Sequence, residues 1–350
     1  MLGLLQQHTI KIYDLDKKNF SRDKVKARSL LSSDRFDLYA KLFYIRNRKQ
    51  NPTLAQKVYN EHILAFNPDG KEPGRDDKDG VDDFTQVFDE LIDHFEKNEF
   101  DASVSIVPVD KNNNPLDGSH RVAALAYFDK EIDVLKFPEV EANAAFDYRY
   151  FLKRGLPVQY ADEIARETIV YTSNLYIACL WPKMGNLSNK QFALDYLRNQ
   201  FDVYYSKSIS MPLTGLTRLI YESYKHQDWV GDASNDFKGA RSKALSCYAS
   251  HGNVHVVLFQ AEDLDGVVSA KEAIRAHYQL DKHALHITDD DQETKEMMHL
   301  VFTDEVKQFQ DTSSQVKDKV KEYVTIFKNV YWLNFKVKIA SMLTKLKLYR

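Results

Sequence analysis

Cysteine is nearly absent from this 350-residue chain. Cys179 and Cys247 are the only two, and they form neither a CxxC pair nor a zinc-ligand spacing. They read as buried thiols of a reducing cytosol, not as a disulfide framework. Glycine is scarce too, and 12 residues argue against a large glycine-lined dinucleotide fold. No apolar run reaches the roughly 18 residues of a membrane-spanning helix. The apolar start, residues 1–5, is too short for a signal peptide. The expected location is therefore the cytoplasm. A net charge of −3 gives no general case for nucleic-acid binding, and no internal repeat is evident.

What is present is ordinary in bulk and uneven in detail. Hydrophobic residues make up 43% and charged residues 28%, as in a soluble globular protein, with 20 Phe and 20 Tyr on the rich side. The length holds two domains with substantial cores. Residues 317–350 carry nine Lys or Arg against two acids, Asp318 and Glu322, a local charge of +7. The remainder is therefore at −10.

The chain is organised around residues 103–137. Residues 103–109 suit a strand, 110–114 form a turn cluster, 122–128 an apolar helix and 132–137 a returning strand. Asp117, Gly118, Ser119, His120 and Arg121 thus crowd the entrance of one helix. A helix start favours anions, phosphate above all. Gly118 lets backbone approach a ligand, Arg121 can clamp a phosphate bidentately, and His120 can donate a hydrogen bond or pass a proton. Asp117 suits Mg²⁺ or a hydroxyl. The same residues would also serve as a plain helix cap with His120 and Arg121 solvated.

The string Leu116-Asp117-Gly118-Ser119-His120-Arg121-Val122 resembles the signature box of the ParB/sulfiredoxin superfold. The Asp-Gly-x-His-Arg variant is most like that of its small-molecule kinases. The resemblance spans residues 51–140. It implies an ATP-, ADP- or CTP-binding domain with Mg²⁺, phosphates held by residues 118–121, and an upstream glutamate as base. Glu61 is the candidate, with Glu72 in reserve. Ser119 stands where sulfiredoxins have their cysteine, and no helix-turn-helix domain follows as in the DNA-partitioning members.

Upstream, residues 9–15 read as a strand or lead-in and 21–31 as a helix rich in Lys and Arg. Residues 35–47 form a helix with an aromatic stripe, on which Arg35, Asp37 and Lys41 either reach a cleft or pair on the surface. Helices follow at 54–66 and 83–98, separated by a polar loop, 67–82. Downstream, strand 254–259, helix 264–278, strand 283–288 and helix 292–302 form a βαβα unit, which predicts parallel pairing.

A second candidate site lies at its end. His283 and His286, three apart on a strand, face opposite ways and do not easily share a metal. Thr288 and Asp289, with the following helix start, would face a phosphate or sugar, or merely cap the helix. This run resembles one in uncharacterised proteins of bacterial surface-polysaccharide gene clusters. Trp229, Gly231, Gly239 and Lys243 form a third candidate without phosphate-loop spacing, and structural packing of Trp229 is the preferred reading of them.

The expectation is an α/β chain with α+β character. A ParB/sulfiredoxin-like domain spans 1–145, a second mixed α/β domain 146–310 and a basic amphipathic helix 311–350. The expected function is an ATP-dependent kinase of a small hydroxylated acceptor, such as a sugar or polyol of surface-polysaccharide synthesis. Catalytic residues would be Glu61, Asp117 and His120, and Asp117 would hold Mg²⁺. The second domain, through Lys243, His283, His286, Thr288 and Asp289, would take the acceptor or a donor. Alternatives are a nucleotide-binding or hydrolysing module, or a glycosyl- or phosphosugar transferase. Residues 316–350 would meet an anionic inner-membrane surface or pack on the acidic body.

Overall fold

The computed structural model describes residues 1–71 and 80–310. Residues 72–79, which include Glu72, and the basic tail 311–350 lie outside the described residues. The first half runs α1 (Gln7–Tyr13), β1 (Ser21–Lys26), α2 (Phe36–Asn47), α3 (Pro52–Phe66), α4 (Val81–Lys97), β2 (Val107–Val109), α5 (Ser119–Tyr127) and β3 (Glu131–Lys136). The second runs α6 (Tyr148–Lys153), α7 (Val158–Glu167), β4 (Leu175–Leu180), α8 (Gln191–Gln200), β5 (Asp202–Ile209), α9 (Leu213–Tyr224) and α10 (Lys238–Cys247). It ends with β6 (Val254–Gln260), α11 (Leu264–Tyr278), β7 (Leu285–Ile287), α12 (Asp291–Phe302) and α13 (Val306–Gln310). The fold is thus mixed α/β with two sheets, as expected.

The first sheet has the order β1-β3-β2, with β2 and β3 parallel and joined through α5. Residues 21–31 are not a helix. They form edge strand β1 and a 3₁₀ turn (Ala27–Leu30), because their charges pair across to β3. Arg22 meets Asp133 at 2.7 Å, Lys24 meets Glu131 at 3.2 Å, and Asp23 meets Lys136 at 2.8 Å. Charged side chains on an exposed edge also discourage pairing with another chain. Residues 9–15 are mostly helical rather than extended. Of the strand expected at 103–109, only the last three residues pair, since Asp101 holds Ser103 in a turn through its N–H (2.8 Å) and hydroxyl (2.6 Å).

The second sheet has the order β5-β6-β4-β7, with all neighbours antiparallel. Strands β6 and β7 do not pair with each other, contrary to the expectation from their succession. β4 lies between them and hydrogen-bonds to both. Every residue of β4 is buried, since both faces are covered. Leu175, Ile177 and Cys179 join the core with α2, α7, α9 and α12, while Tyr176, Ala178 and Leu180 pack with residues of α8 and α11. This is period-two alternation with helices on either side.

Helix α2 ties the two sheets into one core. Phe36 stacks on Tyr205 at 6.1 Å, and Tyr39 meets Tyr204 edge-on at 5.8 Å. The shift in β5 register between Val203 and Tyr205 makes both neighbouring tyrosines available to α2. Cys179 and Cys247 are buried free thiols; burial pushes them up to about 12 and about 11. Among the described residues no helix is long and apolar enough to cross a membrane.

The core also stores a pH dependence. Burial, with the charges of Lys190 and Arg198, lowers His255 to about 4. The folded state therefore holds it neutral at pH values where the unfolded chain protonates it. Stability should fall as pH drops from about 6.5 toward 4, by on the order of 2 kcal/mol at pH 5 from this residue. Buried His62 pushes in the same direction. Urea midpoints at pH 7 and pH 5 would measure the slope, and His255→Asn should flatten it. An unchanged slope in that variant would show that His255 is not its source.

Candidate functional site

The residues expected at a phosphate site do come together. The peptide leaves buried β2, turns through residues 110–117 and starts α5 at Ser119. Asp110 organises the turn by accepting from the N–H groups of Asn112 and Asn114, both at 2.8 Å, and of Ala142 at 3.1 Å. Gly118 is the N-cap, in the left-handed region at φ 81°, and no side chain caps the helix. Asp117 Oδ1 accepts from the Gly118 N–H at 2.6 Å. Asp117 Oδ2 lies 3.5 Å from an Arg121 guanidinium nitrogen. His120 Nε2 lies 2.8 Å from the Tyr59 hydroxyl, and its ring stands edge-on to Phe88 at 4.7 Å.

Asp117, Gly118, Ser119, His120 and Arg121 line one cleft of about 330 Å³. Phe84, Val87, Phe88 and Leu91 of α4 form its apolar wall, with Leu4 and Gln6 from the start of the chain. The polar box thus faces an apolar surface, as small-molecule sites commonly do. Glu61 is outside this wall. Tyr59 reaches the box from α3, and at about 100° per residue Glu61 projects some 200° away from it. His62 follows Tyr59 on the inner face and is buried.

Beneath the box lies a buried ion network that the sequence suggested only in part. Arg35 donates to both Asp37 carboxylate oxygens, at 2.8 and 2.9 Å, and to the carbonyl of Pro115 in the turn before the box. Lys41 donates to Asp37 at 3.1 Å and sits 3.4 Å from His62 Nε2. The surface pairing expected of Asp37 and Lys41 is corrected here: both are buried. Burial alone would raise the Asp37 carboxyl, but the charges of Arg35 and Lys41 outweigh it and hold it far below the usual carboxylate range. Burial and the Lys41 charge keep His62 neutral.

Most residues of the second and third sequence candidates, though not Gly231 or Thr288, line a single cavity. Lys243, His283, His286 and Asp289 line one cavity with Trp229 and Gly239. His283 lies in a 3₁₀ turn (Asp281–His283) and the strand starts only at Leu285, so the opposite-face argument fails and both histidines face this space. Thr288 does not. It is fully buried, its hydroxyl accepting from the Ile177 N–H at 3.0 Å and meeting Thr294 at 2.8 Å, so its role is to bind β4 to α12. Trp229 is 45% exposed rather than packed away. Lys271 and Arg275 were missed. Their signal was four-residue spacing of cations beside the apolar face of α11.

Comparison with family models, curated proteins and solved structures finds no match to this chain. Residues 116–122, on which the sequence resemblance rests, lie between the parallel strands β2 and β3.

Among the described residues no group of three or more His, Cys, Asp or Glu is placed to hold a metal. Mg²⁺ commonly takes one or two carboxylates and completes its shell with substrate phosphates and water. Asp117 offers one carboxylate of that kind.

Proposed function

We propose that the chain is a phosphotransferase that binds a nucleoside triphosphate at the cleft of residues 117–121 and transfers a phosphoryl group to a small hydroxylated acceptor. The observation that carries this reading is the left-handed Gly118 N-cap, with Arg121 folded beside it at the start of α5. A helix N-terminus and a guanidinium aimed at one cleft favour a phosphate chain. The aromatic wall of α4 suits the rest of the nucleotide. Asp117 would share Mg²⁺ with the phosphates, and the ion would supply charge neutralisation. Among the described residues Asp117 and His120 are the proton acceptors in the wall, so we give the base role to them rather than to Glu61. Residues 316–350 carry the basic, apolar pattern that would hold such an enzyme against an anionic membrane surface.

Arg121→Met should weaken nucleotide binding about 30-fold, roughly 2 kcal/mol for a lost charge-assisted contact. Calorimetry with ATP, ADP and CTP in the presence of Mg²⁺ reads this directly. Unchanged affinity in a folded variant would remove the phosphate site. Turnover supplies the second criterion. A kinase consumes ATP only with an acceptor, whereas hydrolysis without one would favour a nucleotide-driven switch. The absence of Glu61 from the cleft wall is the observation on that side.

A further inference from the structure

The cavity among α9, α10, α11 and α12 measures about 950 Å³ and shares no lining residue with the cleft of residues 117–121. That volume is at the upper end for small-ligand sites. Cations enter its wall from three elements: Lys243 from α10, Arg275 from α11 and Lys282 from the turn before β7. The acids of the same wall already have partners, and Asp289, Glu293 and Glu296 find theirs among groups that line the same cavity. Asp289 pairs with Lys271, and Asp290 caps α12 through the Glu293 N–H. Glu293 accepts from the Asp289 N–H at 2.6 Å and lies 2.8 Å from His286 Nε2. Glu296 meets Lys225 at 3.6 Å and His226 at 3.4 Å.

The cations are not so engaged. Lys243 donates to a carbonyl, that of Lys282, and not to a carboxylate. The Arg275 side chain has no hydrogen-bond or ion-pair partner among the described residues, and its Nε is buried without an acceptor. Burial lowers the Lys243 pKa; Cys247 and Asp281 act against this, while the charges of Lys282 and Arg275 push it further down. Like charges held close together are relieved by an anion. At the same cavity Trp229 is exposed and lies 5.1 Å from Tyr224, whose ring is backed by His286 at 4.8 Å. Gly239 allows α10 to pack directly on the Trp229 carbonyl, so the backbone under this indole is fixed.

We infer that this cavity binds a nucleoside diphosphate, its phosphates on Lys243, Arg275 and Lys282 and its flat base against Trp229. An anion alone would not call for an exposed indole, and a neutral ring would not call for three converging cations. Stacking on tryptophan tolerates any base, so the site would not choose strongly among bases.

The test uses full-length Arg121→Met protein, which removes the other proposed phosphate contact, and calorimetry with UDP, ADP, pyrophosphate and uridine. UDP or ADP should bind at one site, and uridine at least tenfold more weakly. Arg275→Met should weaken UDP, ADP and pyrophosphate at least tenfold. Trp229→Ala should weaken the nucleotides but leave pyrophosphate unchanged. Circular dichroism and melting establish that each variant is folded, and Lys282→Met, at an exposed position, gives an independent loss of affinity. Failure of both nucleotides to bind, or equal affinity with and without Arg275, would overturn the site. Uridine binding as tightly as UDP would overturn its anionic half, and an unaltered nucleotide affinity in Trp229→Ala its stacking half. None of these results depends on phosphoryl transfer at residues 117–121.

Discussion

Asp37→Asn is expected to destabilise the protein by about 3–5 kcal/mol, the range for removing one partner of a buried ion pair. Asp37 is 1% exposed and its carboxylate contacts both Arg35 and Lys41, themselves buried. Asparagine keeps the shape but leaves two cations in a medium that solvates them poorly. Urea unfolding should show a lower midpoint with an unchanged slope. The exposed Lys17–Asp14 pair is the control, and Lys17→Ala should leave the midpoint where it was. The network also has a pH signature. Because the folded-state pKa of Asp37 is depressed, its contribution is complete above the unfolded value of about 4 and is lost as pH falls further. A change below 1 kcal/mol would mean that water reaches the two cations. Since Arg35 also holds the Pro115 carbonyl, the variant should loosen the turn that presents residues 117–121.

Why this network was only half legible follows from its chemistry. The aromatic stripe of α2 shows in sequence because burial repeats every three or four residues. Asp37 and Lys41 look like a solvated i,i+4 pair because the residues that bury them are supplied from elsewhere. Arg35 folds back from the cap, and His62 arrives from α3. The box at residues 117–121 was legible because its parts are contiguous and a single helix start arranges them. The second cavity was legible only as fragments, Trp229 to Lys243 and His283 to Asp289, because the packing of four helices joins them. Strand β1 misled because charges on an edge strand read like a helix surface. The βαβ reading of β6, α11 and β7 was right in succession and wrong in pairing: chain order does not reveal that β4 inserts between them.

Gly118→Ala should damage binding and stability together, and the two effects can be separated. At φ 81° a residue with a Cβ is strained by roughly 1–2 kcal/mol. The new Cβ would also stand 2.7 Å from an Arg121 guanidinium nitrogen and 3.0 Å from Val107 Cγ2. Val107 is buried in β2 and has little room to yield. The guanidinium, at the end of a flexible side chain, is what moves. Nucleotide affinity should therefore fall by at least as much as in Arg121→Met, because the contact is displaced and the backbone approach is blocked as well. Gly118→Asn separates the causes. Asparagine tolerates the left-handed conformation better than alanine but brings the same Cβ. It should recover part of the lost melting temperature and none of the lost affinity. If Gly118→Ala bound nucleotide like the parent protein, close backbone approach at this helix start would not be how the cleft holds phosphate.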